Sequence, residues 1–267
     1  MKYGVIHYRA PGDTLEQFLD WAAETGFDAV ELTGGDVGVD LEDGAEKQAG
    51  RVRGLLEARG LAVSAVSAGN DFVVLEDDQV QAQVAHMERI CRLASLAGAN
   101  LLRTEGGAEK PEVDKSRHAE AIAGCLKRCL PVIERDRIVL AVDNHGWVTN
   151  DPQVLLDVFA AVDSPWIGAN LDTGNFRWAG HTVDECRKIY DAIAPHAKHT
   201  HIKDCTGCAK TEDYVSTVHG EGEVDLNHAM AALRRVGYNG VYCAEWEGRG
   251  DGSEAYAGCL AWMKQNI

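Results

Sequence analysis

Four side chains carry the strongest chemical hint in this sequence: Asp143, Asp172, His201 and Glu245, separated by 29, 29 and 44 residues. Each closes a short, mostly apolar run, in Val142-Asp143-Asn144-His145, Leu171-Asp172-Thr173-Gly174-Asn175, Thr200-His201-Ile202-Lys203 and Ala244-Glu245-Trp246. Three carboxylates and one imidazole suit a single divalent ion such as Mn²⁺, Mg²⁺, Co²⁺ or Zn²⁺ and leave coordination positions for substrate oxygens. Such an ion polarises a carbonyl, lowers the barrier to removing the neighbouring C–H proton and stabilises the resulting enediolate. Glu245 and Asp143 are then the candidate bases. His145 could donate to a substrate oxygen or transfer a proton, and Lys203 could stabilise an oxyanion or hold a phosphate or carboxylate.

Each residue also has an ordinary structural reading. Asp172 before Thr-Gly-Asn can cap a turn, Glu245 can pair with a lysine, His201 can be a hydrogen-bonded core histidine, and Lys203 can bridge to Asp204 or another strand-end acid. What lifts the set is its placement. Short β-branched or apolar runs alternate with longer amphipathic segments along the whole chain, the pattern of repeated βα units and a parallel sheet. The eight candidate strands are Tyr3–Tyr8, Ala29–Thr33, Val63–Ser67, Asn100–Thr104, Ile138–Asp143, Ile167–Asp172, His199–Lys203 and Gly240–Glu245. In a parallel barrel all strand C-termini face one way, so residues that end successive strands meet however far apart they stand in sequence.

The helices between the strands are marked by period and caps. Asp13-Thr14-Leu15-Glu16 opens an amphipathic run that closes at Gly26, and similar runs follow at about 79–96 and 114–134. Gly26, Gly60, Gly98 and Gly237 each stand just after a helical pattern, as left-handed C-caps do. No GxGxxG follows the first strand, which reads Ile6-His7-Tyr8-Arg9-Ala10-Pro11, so a dinucleotide-binding open sheet is disfavoured. The expected architecture is an α/β fold, a single-domain (β/α)₈ TIM barrel spanning residues 1–267.

At these residues the chain resembles the xylose-isomerase-like barrel superfamily. That superfamily takes in sugar and sugar-phosphate isomerases and epimerases, hydroxypyruvate isomerase, inosose dehydratase and the AP-endonuclease family. The resemblance runs through Gly26-Phe27-Asp28-Ala29-Val30-Glu31-Leu32, Asp143-Asn144-His145-Gly146 and Asn170-Leu171-Asp172-Thr173-Gly174-Asn175-Phe176. It continues in His199-Thr200-His201-Ile202-Lys203-Asp204, His219-Gly220-Glu221-Gly222-Glu223-Val224-Asp225 and Glu245-Trp246-Glu247-Gly248. It implies that Asp172, His201 and Glu245 are metal ligands. Asp143 falls where the family usually has Glu, and that glutamate also serves as one of two bases in the epimerases. A side chain shorter by one methylene makes Glu245 the safer base.

The leading expectation is a metal-dependent isomerase or epimerase acting on a sugar, keto-sugar or polyol. The alternatives are a metal-dependent lyase or dehydratase on a keto-sugar or cyclitol, and a non-catalytic barrel with a degraded metal site. Phosphodiester cleavage would need further histidine ligands, and a net charge of −16 opposes binding to a phosphate backbone, so no nucleic-acid partner is expected. No apolar stretch is long enough for a signal h-region or a membrane span, which gives the expectation of a cytoplasmic protein with no membrane partner. A homo-oligomer is compatible with this reading.

Several further residues sit where a substrate could be met. Glu31 and Glu105 are candidate acids or hydroxyl acceptors. Asn70-Asp71-Phe72 belongs to the third βα loop, and Trp178 and Trp246 lie near the mouth, where aromatic faces can pack on sugar C–H groups. Glu221 and Glu223 read as turn formers, and Arg9 and Arg177 as anion binders without a glycine-rich cradle. Eight scattered cysteines read as reduced thiols, although Cys205-Thr206-Gly207-Cys208 has the spacing of half a zinc site or a redox couple.

Overall fold

The computed structural model of the chain describes residues 2–267. In chain order the strands are β1 (Lys2–Ile6), β2 (Ala29–Leu32), β3 (Ala62–Ser67), β4 (Leu101–Thr104), β5 (Val139–Asp143), β6 (Ile167–Asp172) and β7 (Ala197–Ile202), followed by β8 (Asp204–Thr206), β9 (Val215–Thr217) and β10 (Val241–Ala244). Eight of them close a parallel barrel in the circular order β1-β10-β7-β6-β5-β4-β3-β2, while β8 and β9 form a separate two-stranded sheet. In that ring β4 and β10 are four places apart and face one another across the barrel.

The helices are α1 (Leu15–Thr25), α2 (Ala45–Glu57), α3 (Asp77–Ala97), α4 (His118–Asp136), α5 (Pro152–Val162), α6 (Asn175–Trp178), α7 (Val183–Ile193), α8 (Leu226–Arg235) and α9 (Gly252–Asn266). Their ends follow from local chemistry. Thr14 accepts from the Gln17 amide while the Gln17 side chain returns to Thr14, and Gly26 at φ 92° closes α1 in the left-handed region that a side chain would strain. Thr182 and Glu185 repeat the same box at the start of α7.

The barrel expected from the sequence is the one observed, with shifts at the edges. The run expected as one helix over 114–134 is a 3₁₀ turn at Lys115–Arg117 followed by α4, because the Asp114 carboxylate takes the Ser116 amide at 2.9 Å and tightens the entry. The long 205–223 loop contains the β8–β9 hairpin, paired in antiparallel register from Asp204–Thr217 to Thr206–Val215. No span shows the alternation that would have announced these three-residue strands.

The core lies between strands and helices. Phe18, Leu19, Met87, Ile90, Leu126, Ile133, Ile193 and Met263 of the helices are fully buried, as are Val30, Leu102, Leu140, Val142, Leu171 and Ile202 of the strands. Each such side chain contributes about 1.5–3 kcal/mol relative to exposure, so the apolar shell alone fixes the strands in place. Polar side chains can then occupy the barrel interior near the C-terminal ends, and Glu31, Arg103, Asp143, Asn170, Asp172, His199 and His201 are all buried there. Among the described residues no helix is long and apolar enough to cross a membrane, and all eight cysteines are free and buried.

Candidate metal centre and active site

Parallel pairing sets the four expected ligands side by side. Asp172 stands in register with His201, His201 with Cys243, and Asp143 with Asn170. Glu245 follows directly on β10, its amide donating to Ile202 O at 3.0 Å, which extends the ladder by one residue. The loops are locked at the same level. Asn144 Nδ2 donates to Asp172 O at 3.0 Å, the Asp172 amide donates to Asn144 Oδ1 at 2.9 Å, and Asn175 Nδ2 donates to Asn144 O at 2.9 Å.

The two oxygens of Asp172 stand in different surroundings. Oδ1 accepts the Gly174 and Asn175 amides at 2.8 and 2.9 Å, as a turn cap does, whereas Oδ2 has no hydrogen-bond partner. The same division recurs around the cluster. Asp143 Oδ1 accepts from Asn170 Nδ2 at 2.9 Å, and Asp143 Oδ2, His201 Nδ1 and Glu245 Oε2 are, like Asp172 Oδ2, buried without a hydrogen-bond partner. His201 Nδ1 and Glu245 Oε2 are 2.8 Å apart yet are not aligned as donor and acceptor.

Ligand atoms of Asp143, Asp172 and His201 all lie within 4.8 Å of one another. Around an ion with bonds of about 2.1 Å, ligands stand at most about 4.2 Å apart, so only a small contraction is required. Buried polar atoms without partners are rare because each forfeits its hydration. Asp143, Asp172 and His201 come from three successive barrel strands, Glu245 Oε2 lies 2.8 Å from His201 Nδ1, and this set of carboxylates and imidazole suits a divalent cation.

Two cations and a second carboxylate hold this arrangement. Lys203 is buried, with Nζ 3.2 Å from Asp172 Oδ2, 3.3 Å from Glu245 Oε1, 3.4 Å from Glu247 Oε2 and 3.0 Å from Asn175 Oδ1. Its stem passes Gly174, where a Cβ would stand 2.8 Å from Lys203 Cγ, so the Thr-Gly-Asn turn has to be glycine at its centre. Arg103 NH2 lies 3.0 Å from Asp143 Oδ2, NH1 pairs with Glu105 Oε1, and Nε is 3.6 Å from Glu31 Oε1. Glu31 Oε2 in turn accepts from His199 Nε2 at 2.9 Å and His201 Nε2 at 2.7 Å. His201 Nε2 donates to Glu31, and Nδ1 faces Glu245 Oε2 at 2.8 Å and Asp172 Oδ2 at 3.9 Å; burial pushes the ring's pKa down, but Glu31 and Glu245 outweigh it and hold it well above its ordinary value, so a cation bound at Nδ1 would displace a proton.

The electrostatics follow from this packing. Burial alone would raise the Glu31 carboxyl, but His201, His199 and Arg103 outweigh it and hold the group well below the usual carboxylate range. Burial likewise pushes Glu245 up and is overcome by Lys203, then His201 and Arg103. Asp172 goes the other way: burial, with Glu245 and Asp143 adding to it and Lys203 opposing, pushes it up to about 8. Glu31, Asp143, Asp172 and Glu245 outnumber Arg103 and Lys203 here, an excess of carboxylates that a bound cation would offset.

A cavity of about 220 Å³ adjoins the cluster, and His7, Tyr8, Glu31, Arg103, Glu105, His145, Glu245 and Glu247 are among the residues that line it. Of the residues expected to do chemistry, Glu245 and His145 line it, whereas Asp143, Asp172, His201 and Lys203 do not. Lys203 bridges strand-end acids, but Asp204 does not join it. The Asp204 carboxylate accepts the amides of Cys205, Gly220, Gly222 and Val224 at 2.8–3.1 Å and so fixes the turn that follows the hairpin. Glu223 pairs with Arg177 at 2.9 Å. Arg9 donates to Glu247 O at 3.1 Å. Asp71 pairs with Lys110 at 2.9 Å. Trp246 is buried, and Trp178 packs on the half-exposed Trp147 with ring centroids 4.8 Å apart. Cys208 Sγ contacts Thr211 Oγ1, and Cys205 lies buried in β8.

The sequence reading passed over Arg103 and the partnership of Glu31 with two histidines. A charged residue inside the four-residue apolar strand Leu101-Leu102-Arg103-Thr104 was the available signal, since a barrel strand covered on both faces can place arginine only among acids. His199 and His201 share a face by strand period, and the acid on β2 that they meet is set by closure of the barrel.

A family model described as the xylose isomerase-like TIM barrel matches residues 19–266. Among proteins of curated function, none matches the sequence. Solved structures with the same fold include the IOLI protein with a binding zinc atom, at 16% identity and a TM-score of 0.81, covering 100% of this chain and 98% of that one. D-psicose 3-epimerase with D-tagatose from Clostridium cellulolyticum H10 is similar at 15% identity and a TM-score of 0.80, covering 100% and 99% of the two chains. The probable 3-DHS dehydratase AsbF from Bacillus anthracis is similar at 16% identity and a TM-score of 0.78, covering 99% of each. With its barrel topology and a match over almost the whole length, the chain belongs to the xylose isomerase-like TIM barrel family.

Proposed function

We propose that this protein is a divalent-metal-dependent isomerase or epimerase acting on a small sugar, keto-sugar or polyol, by proton transfer at a carbon next to a carbonyl. The observation that carries the reading is the convergence of ligand atoms of Asp143, Asp172 and His201 within 4.8 Å of one another, with Glu245 Oε2 2.8 Å from His201 Nδ1. These residues would hold the ion. When bound, it would polarise the substrate carbonyl and acidify the adjacent C–H.

The chain's own groups supply the rest. Glu245 lines the cavity and is kept ionised by Lys203, so it is the carboxylate placed to accept the proton. Lys203 holds Asp172 and Glu245 from the side away from the cavity. His145, on the cavity wall, is placed to donate to a substrate oxygen. The cavity has room for about seven waters at about 30 Å³ each, which suits one small polyol rather than a chain of sugars. Its lining contains Glu31, Glu105, Glu245 and Glu247, and its one arginine, Arg103, already faces three acids. That charge favours an unphosphorylated substrate. The D-psicose 3-epimerase and the zinc-containing IOLI protein that share the fold add support for sugar and metal respectively.

The test is a panel of free ketoses and aldoses incubated in heavy water with the protein loaded with Mn²⁺ or Zn²⁺. Deuterium entering recovered sugar or its isomer, and stopping when the metal is stripped, is the expected result. Loss of water by mass in place of exchange would assign the dehydratase alternative. Absence of any stoichiometric divalent ion after loading would refute the metal reading.

A further inference from the structure

We infer that the second proton-transfer group of this site is Glu105, at the end of β4, and that Asp143 has no part in proton transfer. The inference rests on the epimerase form of the reading above. Moving a proton from one face of a carbon to the other takes two groups on opposite sides of it, and the only ligand carboxylate on the cavity wall is Glu245.

Asp143 is unsuited to be its counterpart. It is fully buried and absent from the cavity lining, Oδ1 is taken by Asn170, and Oδ2 has Arg103 NH2 at 3.0 Å besides its place among the ligand atoms. Arg103 thus stands against the one oxygen that Asn170 leaves open.

Glu105 has what Asp143 lacks. It lines the same cavity as Glu245, and it follows β4, the strand directly across the barrel from β10, whereas β5 is only three places from β10. Arg103, two residues earlier, ties one Glu105 oxygen to its guanidinium while its other nitrogens face Asp143 and Glu31, so the carboxyl is oriented by the metal-ligand cluster itself. Thr149 Oγ1 pins the Glu105 carbonyl at 3.1 Å. The Glu105 side chain is 33% exposed, which lets it regain a proton from water after each turnover.

Other cavity acids are committed elsewhere: Glu31 to His199 and His201, Glu247 to Lys203 and the Tyr214 hydroxyl. His145 lies after β5, on the side of the barrel that also holds Asp143.

The step balances without any further reactant. Glu245 takes the proton as the C–H bond breaks, and the electron pair moves into the carbonyl. As the pair returns to carbon, a proton carried on Glu105 Oε2, the oxygen that Arg103 does not hold, forms the new C–H bond on the opposite face. Glu245 ends protonated and Glu105 ionised, and exchange with water resets both.

The experiment compares wild type, Glu105→Gln and Glu105→Asp, each metal-loaded, on the sugar that the wild type processes in heavy water. It scores inversion at carbon separately from deuterium exchange with retention. Glu105→Gln is expected to lower the rate of inversion by about 100-fold or more, the usual scale for a lost acid or base. Its retention exchange through Glu245, its KM and its Mn²⁺ affinity by calorimetry stay near those of wild type. Glu105→Asp should recover part of the inversion.

Wild-type exchange without inversion overturns the inference. So does inversion by Glu105→Gln at the wild-type rate, or loss of exchange and inversion together in that variant. If the wild type exchanges no proton in any sugar, the functional reading fails and this inference falls with it.

Discussion

Replacing Glu31 by Gln probes the part of the site that lies behind the ligands. Glu31 Oε2 accepts the Nε2–H groups of His199 at 2.9 Å and His201 at 2.7 Å, with all three side chains buried. Hydrogen bonds to a charged partner contribute about 1.5–3 kcal/mol each, roughly twice the neutral value, so the amide should lose about half of each. Two such bonds give a loss of about 1.5–3 kcal/mol in unfolding free energy. The amide also sets an N–H donor near Arg103 Nε, which already lacks a hydrogen-bond partner at 3.6 Å from Glu31 Oε1. For the metal, a weaker acceptor on Nε2 makes Nδ1 of His201 a poorer ligand, and losses of this type amount to 10- to 100-fold in affinity, about 1.4–2.7 kcal/mol. The assay is calorimetric titration of metal-stripped Glu31→Gln with Mn²⁺ or Zn²⁺, alongside urea unfolding of the same preparation. Stability lost as expected with metal affinity unchanged to within about twofold would show that Glu31 only supports the fold, and would refute its role in orienting His201.

Three further outcomes are expected. His219 is buried and held neutral, its pKa pushed down to about 4 by burial. Its folded pKa lies below the unfolded one, so its contribution is fully present above about pH 6.5 and is lost as pH falls toward 4, by up to about 3 kcal/mol. Urea unfolding of metal-stripped wild type and His219→Asn between pH 7 and pH 4 should show the steeper decline in the wild type, and parallel curves would contradict the argument. Asp204→Ala should destabilise the protein by about 2–4 kcal/mol and speed amide hydrogen exchange at Gly220, Gly222 and Val224, whose amides it caps; unchanged exchange at those amides would show that the turn holds itself. Lys203→Met removes the ammonium among three carboxylates and should cost about 3–5 kcal/mol in the metal-stripped protein. That cost should shrink on adding Mn²⁺ if the ion neutralises the same acids, which thermal unfolding with and without metal would measure.

The sequence by itself determined the barrel and the level at which its chemistry sits. Alternation of apolar runs with capped amphipathic helices is a local property, and once eight such units close, the residues after β5, β6, β7 and β10 must share one face. Asp143, Asp172, His201 and Glu245 were legible for that reason, and the family pattern sharpened them. Only the tertiary structure decided how each atom is used. It gave one oxygen of Asp172 to the turn amides, set Lys203 against the other, and brought Glu31 from β2 onto two histidines of β7. It also set Arg103 against Asp143, so that the shortened side chain is closed off and Glu105 stands across the barrel from Glu245. These are contacts between residues far apart in the chain. Periodicity and capping report the environment of a residue's own helix or strand, whereas the partner across a barrel is fixed only by closure and register.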